Sequence, residues 1–310
     1  MKVVVIGGTG HIGTFLIPKL VEAGHEVIVV SRQQRKPYHL QAAWEKVKTV
    51  PLDRQHLEQQ NRFGQAIADL APQVVVDLIC FKLESARHLA NALQNKVGHL
   101  IHCGTIWVHG HKIETPSEEW HKKRPIGEYG IQKAAIEDYL LNEVDQDSLP
   151  VTVLHPGHIV GPGWDPINPL GNLNRQVFSD LATGKEILIP HLGLETLHHV
   201  HAYDVANGFM LAIQHRQNAA GQSFHIVSEK ALTCRGYAEA IAELHGQKAN
   251  LRFVTWEEFS SSVSEQDARV SWDHLIHSSS CSIEKARRLL NYTPKYSSLE
   301  AIAESLAFKE

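Results

Sequence analysis

The chain has few cysteines, only two methionines and no strong excess of charge of either sign. Its four cysteines are widely separated and form no CxxC pair, which argues against a zinc ribbon or a thioredoxin-like site and suits a reducing compartment. Lys and Arg total 30 against 34 Asp and Glu, so composition indicates no nucleic-acid partner. No apolar run approaches the ~18 residues of a membrane span, and the first residues resemble a strand rather than a leader. We therefore expect a cytoplasmic protein with no membrane partner.

What the chain does have is the length and composition of an ordinary globular protein. It contains 310 residues, of which 43% are hydrophobic and 21% are charged. Histidine is unusually frequent, with 21 copies. Because histidine has an unperturbed pKa of ~6.5, we expect the net charge to change strongly between about pH 6 and 7.5.

The first half alternates short apolar strands with helical patterns. We predict strands over residues 3–6, 27–30, 47–52, 74–79, 99–103 and 151–154, with a helix over 12–23 and a helical stretch near 40–46. Continuous β-branched strands separated by helices are typical of a parallel sheet covered on both faces. The pattern predicts an α/β fold, a Rossmann-type doubly wound parallel sheet.

The pattern changes after about residue 160. We predict a loop through GPGWDPINPLGN, strands over 187–189 and 198–201, and helices over 172–183, 204–213, 235–245, 256–261 and 283–290. We expect an NAD(P)-binding Rossmann domain over residues 1–160, with 196–227 returning to it. A smaller mixed C-terminal substrate domain would comprise 161–195 and 228–310.

The segment GGTGHIG, residues 7–13, stands between the first strand and the first helix. Such a turn lets backbone N–H groups and a helix N-terminus meet a pyrophosphate, although glycine-rich turns can also be purely structural. We expect a dinucleotide to contact this turn and the ends of two further strands, at Gly7, Thr9, Gly10, His11, Ile12, Gly13, Leu78, Ile79, Pro156 and His158.

The end of the second strand indicates which dinucleotide is bound. A carboxylate there usually holds the adenosine ribose, but this chain has Ser31-Arg32, followed by Arg35 and Lys36. A hydroxyl beside a guanidinium suits a 2′-phosphate, so the pattern favours NADP over NAD, unless Arg32 merely lies on the surface. Asp53 could accept a hydrogen bond from adenine or could cap the following helix.

A candidate catalytic set follows from Tyr129-Gly-Ile-Gln-Lys133. Residues four apart share a helix face, and an ammonium near a phenol favours the phenolate. Tyr129 could therefore exchange a proton with an alcohol or a carbonyl while hydride moves to or from nicotinamide. Thr105, just after the fifth strand, could polarise the substrate oxygen or could simply cap the strand end.

In its ordered motifs the sequence resembles the extended short-chain dehydrogenases/reductases of the NAD-dependent epimerase/dehydratase family. The matching segments are GGTGHIG, CGTIWVHG, YGIQK, HPGHIVGPG, HHVHAYDVA and SIEKARRLLNYTPKYSSLEAI. The resemblance implies a Rossmann domain, a C-terminal substrate domain, a Thr105–Tyr129–Lys133 triad and contact of Lys133 with the nicotinamide ribose. It also implies a homodimer formed through the helix that bears Tyr129 and its neighbour.

The departures from the family pattern narrow the activity. Family 4,6-dehydratases have Asp-Glu directly after the catalytic threonine, whereas Ile106-Trp107 follow here, so we reject dehydration. Leu197 stands where many sugar-nucleotide members have an arginine. His155 stands where the family motif has an arginine before the proline. A sugar nucleotide is therefore only the default substrate.

The remaining candidates concern the substrate pocket. We expect Trp107, Trp164, His199 and His201 to line it, with His158 nearby. His198, His199 and His201, with His191, could instead bind a metal, but no carboxylate–histidine signature accompanies them and we predict no metal site.

Three functions stay open. The first is an NAD(P)-dependent epimerase and the second is a net reductase or dehydrogenase of a small molecule, because the same residues serve both. The third is a non-catalytic nucleotide-sensing or RNA-associated binding protein. A pure binder has no need of the Thr–Tyr–Lys set, so the sequence favours an enzyme.

Overall fold

The structure, a computed structural model, describes residues 1–34, 37 and 41–308. Its strands are β1 (Lys2–Ile6), β2 (Glu26–Ser31), β3 (Lys48–Pro51), β4 (Val74–Asp77), β5 (His99–Cys103), β6 (Val151–Pro156), β7 (His158–Val160), β8 (Glu186–Pro190), β9 (Thr196–Leu197), β10 (His199–His201), β11 (Gln222–Ile226), β12 (Leu232–Thr233) and β13 (Asn250–Val254). Its α-helices are α1 (His11–Glu22), α2 (Arg54–Gln59), α3 (Phe63–Ala68), α4 (Leu83–Leu93), α5 (Gly127–Asp138), α6 (Gln176–Ala182), α7 (Ala202–Gln214), α8 (Arg216–Ala219), α9 (Cys234–Leu244), α10 (Trp256–Ser262), α11 (Glu265–His277), α12 (Glu284–Leu290) and α13 (Ser298–Ala307).

A seven-stranded sheet of order β11-β6-β5-β4-β1-β2-β3 is parallel throughout and confirms the predicted Rossmann-type fold. Its central strands are runs of valine and isoleucine that are buried on both faces, since helices cover each side. The strand order reverses between β1 and β4. Ligands of such sheets bind in the crevice at the carboxyl ends of the strands on either side of that switch point.

Several predicted bounds shift by a few residues. The fourth strand ends at Asp77 rather than at residue 79, because the Asp77 carboxylate turns the chain by accepting a hydrogen bond from Ile79 N at 3.3 Å. The helical stretch predicted near 40–46 is a 3₁₀ turn over Ala42–Lys46, and its predicted start at Leu40 lies outside the described residues.

The helix predicted over 172–183 is wrong in its first turn, since α6 begins at Gln176. Asparagine side chains replace helical hydrogen bonds there. Asn172 Oδ1 accepts from Asn174 N at 3.0 Å, and Asn174 Oδ1 accepts from Gln176 N at 3.0 Å. These Asx turns compete with the helix for the same backbone donors.

The second half of the chain contributes to two places. β11 joins the edge of the main sheet beside β6, and α7 packs with α1 against that sheet. The other segments form small pairings, β7 with β10, β8 with β13 and β9 with β12, around a separate apolar core. Helices α11 and α13, which the sequence patterns did not predict, belong to this part.

Within the described residues, no helix has both the length and the apolar character that crossing a membrane requires.

Candidate functional site

A cleft of about 600 Å³ opens at the carboxyl ends of β1 and β2. It brings together predicted cofactor residues from four separate segments, namely Gly7, Thr9, Gly10, Ser31, Arg32, Asp53 and Ile79. Ile12, Leu78 and Pro156 were also predicted to contact the dinucleotide, but they are buried and do not line this cleft. The crevice expected from the strand order is therefore formed by residues that the sequence motifs identified.

The glycine-rich turn has the shape that a dinucleotide requires. Gly7 has a φ of +81°, and a Cβ placed there would lie 2.6 Å from Ile79 Cγ2. Gly10 N donates to Gly7 O at 3.1 Å and closes the turn directly before α1. Only glycine fits this backbone path, so the residues present are suited to a pyrophosphate at the N-terminus of α1.

We expect Gly13→Ala to disrupt this turn. A Cβ at position 13 would lie 2.0 Å from the backbone oxygen of Gly8, so the loop or the helix must move. We expect roughly 1–3 kcal/mol of lost stability together with loss of cofactor affinity. Chemical denaturation and nucleotide titration of the variant measure both, and an unchanged nucleotide affinity would contradict this reading of the turn.

The end of β2 lies within the cleft. Ser31 is buried and its Oγ accepts from Gln33 N at 3.2 Å, whereas Arg32 is exposed to the cleft. Arg35 and Lys36 lie outside the described residues. Asp53 caps α2 by accepting a hydrogen bond from His56 N at 3.0 Å. Of the two roles considered for Asp53, this is the helix cap.

A buried ion pair that sequence reasoning missed stabilises the cleft floor. Arg54 Nη1 donates to both carboxylate oxygens of Asp77, at 2.8 and 2.9 Å. Arg54 Nε also donates to Glu58 at 2.7 Å. Asp77 at the end of an apolar strand was the available signal, because a buried carboxylate requires a partner.

Lys133 lies beneath the centre of the site. It is only 2% exposed, and its Nζ donates to the main-chain oxygens of Cys80 at 2.8 Å and of Cys103 at 2.6 Å. These carbonyls follow β4 and end β5, so the lysine ties the two strand ends together. Its Nζ lies 5.9 Å from the ring centroid of Tyr129, one helical turn away on the same face of α5.

Tyr129 and Thr105 line one pocket of about 180 Å³ together with Trp107, Gly157 and His158. The Tyr129 hydroxyl interacts with the Thr105 side chain beside it in this pocket. Thr105 Oγ1 also accepts from Trp107 N at 3.3 Å, so it caps the short turn after β5. Capping uses the oxygen only as an acceptor and leaves the hydroxyl proton available to Tyr129 or to a substrate oxygen.

The proton on Tyr129 is held more firmly than the sequence predicted. Burial raises the pKa of the hydroxyl to about 12, and the interaction with Thr105 opposes that shift only in part. The residue is nevertheless 41% exposed, so water moderates the effect in the open cleft. The sequence predicted that Lys133 lowers the pKa of Tyr129. That effect is not dominant, because the ammonium is directed at the two backbone carbonyls.

Buried contacts that run from Glu137 through His155 hold the backbone of Thr105 in place. His155 Nδ1 accepts from Thr105 N at 2.9 Å, so its Nε2 carries the proton, and that nitrogen lies 3.2 Å from Glu137 Oε1. Lys123 Nζ donates to the same oxygen at 2.7 Å. Burial opposes ionisation of Glu137, but its electrostatic interactions with His155 and Lys123 prevail and lower the pKa of the carboxyl well below its usual range.

Histidines from α11 cover the substrate side of the pocket. Trp107 stacks on His277 with ring centroids 4.0 Å apart, and its Nε1 donates to His158 at 3.4 Å. His274 packs edge-on against Trp107 at 5.2 Å. Sequence reasoning missed His274 and His277, although their spacing of three residues within a helix was a usable signal.

The other predicted substrate residues are dispersed. His199 lies beside His158, with ring centroids 5.7 Å apart. Trp164 instead stacks on His11 at 4.9 Å, at the N-terminus of α1. His201 caps α7 through Tyr203 N at 2.9 Å and stacks on Tyr296, so the structure does not place it with Tyr129.

The expected strong change of net charge between about pH 6 and 7.5 is wrong for the buried histidines. Burial lowers the pKa of His11, His99, His102, His109, His158, His198, His199, His201, His225, His274 and His277. The pocket walls are therefore neutral imidazoles near pH 7.

Residues 3–226 match the model of the NAD dependent epimerase/dehydratase family, and the chain belongs to this family. This confirms the resemblance and supports an enzyme of the epimerase and reductase type that depends on a nicotinamide dinucleotide.

Individual relatives differ in activity. The chain is 25% identical to 2'-dehydrokanamycin reductase of Streptomyces kanamyceticus, over 81% of this chain and 68% of the relative. It is 24% identical to the chloroplast stem-loop binding protein of 41 kDa b of Arabidopsis thaliana, over 98% of this chain and 78% of the relative. A solved UDP-glucose 4-epimerase from Thermotoga maritima, in complex with UDP-glucose, superposes with a TM-score of 0.74 at 21% identity, covering 99% of this chain and 98% of that structure.

Proposed function

We propose that this protein is an NADP-preferring oxidoreductase or epimerase that acts at a hydroxyl or keto carbon with Tyr129 as acid and base. One observation carries the proposal. The hydroxyl groups of Tyr129 and Thr105 line the same small pocket, above a lysine fixed on the ends of β4 and β5. A protein that only binds nucleotides has no use for this arrangement.

Each residue has a separate part in the reaction. When bound, the nicotinamide accepts or supplies the hydride. Tyr129 gives its hydroxyl proton to a carbonyl oxygen in reduction and takes it from an alcohol in oxidation. Thr105 donates a hydrogen bond to the same substrate oxygen and to Tyr129 in turn. Lys133 keeps a positive charge one turn from the phenol, which favours the phenolate whenever it forms.

The substrate class follows less directly from the site. Sugar nucleotides remain the default, because the similar UDP-glucose 4-epimerase from Thermotoga maritima was solved with UDP-glucose. A small molecule that is not a nucleotide is the alternative, supported by the reductase from Streptomyces kanamyceticus and by the neutral aromatic and imidazole walls around Tyr129. We propose further that the enzyme is not a dehydratase, since Ile106 and Trp107 follow Thr105.

The stem-loop binding relative supports a second candidate, a nucleotide-sensing or RNA-associated protein. Against it stand the net charge of −4 and the intact Thr105–Tyr129–Lys133 set. A cytoplasmic location and a homodimer formed through α5 and its neighbour remain proposals. Ile131, an apolar side chain on α5 that is 47% exposed, supports such an interface.

We expect NADPH to bind more tightly than NADH. We expect Arg32→Ala to weaken the binding of NADPH about tenfold or more, with little change in the binding of NADH. Fluorescence titration of protein freed of any copurified nucleotide measures both constants. Gln34→Ala, at another exposed position lining the same cleft, is the matched control. Tightly held NAD, or equal binding of both nucleotides, would overturn the preference for NADP while leaving the redox role intact.

Turnover with candidate substrates separates the functions. A reductase consumes one NADPH per product, whereas an epimerase converts substrate without net change in cofactor absorbance. Tight RNA binding with no turnover in either assay would favour the stem-loop binding class.

A further inference from the structure

A second cluster of chemically reactive side chains lies outside the proposed active site. His109, His225 and Cys281 are all buried, and their ligand-type atoms lie within 4.8 Å of one another. They come from the loop after β5, from β11 and from the segment before α12, far apart in the sequence. Ligand spacing in the sequence could not reveal them, and the histidines considered as metal ligands in the sequence are different ones.

From this convergence we propose that His109, His225 and Cys281 form a binding site for a divalent transition metal, with Zn²⁺ the best-suited ion. Two imidazole nitrogens and one thiolate are a typical donor set for zinc, with one position left for water or another ligand. Tetrahedral zinc places its N and S ligands ~3.3–3.6 Å apart. The two Nε2 atoms are 2.7 Å apart and would separate by less than 1 Å.

The surroundings of His225 hold its ring in the orientation that a metal ligand needs. Its Nδ1 lies 3.0 Å from Ser282 O, and because a carbonyl only accepts, Nδ1 carries the proton. Glu119 Oε1 lies 3.7 Å from the same nitrogen and accepts from His225 N at 2.8 Å. A histidine whose second nitrogen donates to a carbonyl or carboxylate is the usual arrangement behind a metal-bound imidazole.

Protons balance when a metal binds. Both rings would bind the metal as neutral ligands through Nε2, since the proton of His225 already lies on Nδ1. His109 presently donates its Nε2 proton to His225 and would carry it on Nδ1 instead. The Cys281 thiol loses its proton to solvent as the S–metal bond forms, because only the thiolate binds the metal.

One member of the cluster borders a cavity that is open to solvent. His109 borders a cavity of about 170 Å³ that is also lined by His111, Glu114, Ser117 and His121. The buried hydroxyl of Ser117 lines this cavity and, within the described part of the chain, has no hydrogen-bond partner. Ser117 also pairs with Cys281 through a backbone β-bridge, so the segment that lines the cavity adjoins the segment that carries the proposed thiolate.

A bound metal would hold three separate segments together. His109 lies four residues beyond Thr105, His225 belongs to the edge strand β11, and Cys281 lies a few residues beyond His277, which covers Trp107. The expected role is to fix the C-terminal segment on the Rossmann sheet, so the metal takes no part in hydride transfer.

Cobalt binding to the full-length, untagged protein tests the site. We expect Co²⁺ to give d–d bands of tetrahedral intensity and a thiolate-to-cobalt charge-transfer band, both lost on addition of excess Zn²⁺. Elemental analysis after zinc loading and dialysis should find about one zinc per chain. Wild-type protein without a charge-transfer band, or with no retained zinc, would overturn the proposal whatever the variants do.

Matched serine variants locate the ligand. We expect Cys281→Ser to lose the charge-transfer band and at least 80% of the retained zinc, whereas Cys234→Ser, at another buried free cysteine, keeps both. His225→Gln should lose zinc while remaining folded by circular dichroism. Equal zinc retention by the Cys281 and Cys234 variants would contradict the site, and neither result depends on enzyme activity.

Discussion

We expect Tyr129→Phe to lower kcat by about 10²–10⁴-fold while leaving NADPH binding within twofold of wild type. Phenylalanine keeps the ring, whose centroid lies 5.9 Å from that of Trp107 and 6.4 Å from that of Phe81. It removes only the hydroxyl that interacts with Thr105. Loss of the proton carrier therefore affects the chemical step without emptying the cofactor cleft. Single-turnover rates and nucleotide titration measure the two effects separately.

Tyr139→Phe is the matched control for that prediction. Tyr139 directly follows α5, and its hydroxyl donates to Asn91 at 3.1 Å, away from the cleft. Its loss should cost about 1 kcal/mol of stability and leave kcat unchanged. If Tyr129→Phe retained wild-type turnover, Tyr129 would not be the acid and base, and the proposed function would lose its main support.

The pH dependence of the wild-type enzyme follows from the same hydroxyl. With its pKa raised to about 12 by burial, Tyr129 is protonated at neutral pH and ready to donate. Reduction should therefore be nearly independent of pH between about 6 and 9, whereas oxidation, which needs the phenolate, should accelerate as pH rises.

The sequence predicted the parts of the fold and site that depend on short-range pattern. The strands of valine and isoleucine, the glycine turn and the Tyr129–Lys133 spacing each follow from local backbone geometry, and the parallel sheet follows from their alternation. The role of Asp53 does not follow from local pattern, because one carboxylate can serve as a helix cap or as a ligand contact.

What remained unpredicted depends on contacts between distant segments. The pairing of β7 with β10 and the position of His277 over Trp107 arise only when the second half of the chain packs on the first. His155 illustrates the limit best. The sequence motif shows it only as a replacement for arginine, whereas its contacts with Thr105 and Glu137 depend on burial that no sequence spacing encodes.

The contacts of Glu137 with His155 and Lys123 lead to the second large expected effect. We expect Glu137→Gln to destabilise the protein at pH 7 by about 3 kcal/mol, at the low end for a broken buried pair because Lys123 is 26% exposed. Glutamine can still accept a hydrogen bond from Lys123 or His155, so the loss comes from removing the charge that Lys123 faces. Glu143→Gln, whose partner Arg87 is 3.6 Å away on the surface, should change stability by less than about 0.5 kcal/mol.

The sign of the pH dependence separates this charge effect from a packing effect. Because the folded-state pKa of Glu137 is depressed, its contribution is fully present above the unfolded value of ~4.3 and is lost as pH falls toward the folded value. Urea denaturation at several pH values should therefore show the wild-type advantage over Glu137→Gln at pH 6–7 and its progressive decline below about pH 4.5. A constant difference at every pH would mean that Glu137 stabilises the fold through shape alone, and that its charge does not support the His155–Thr105 contact.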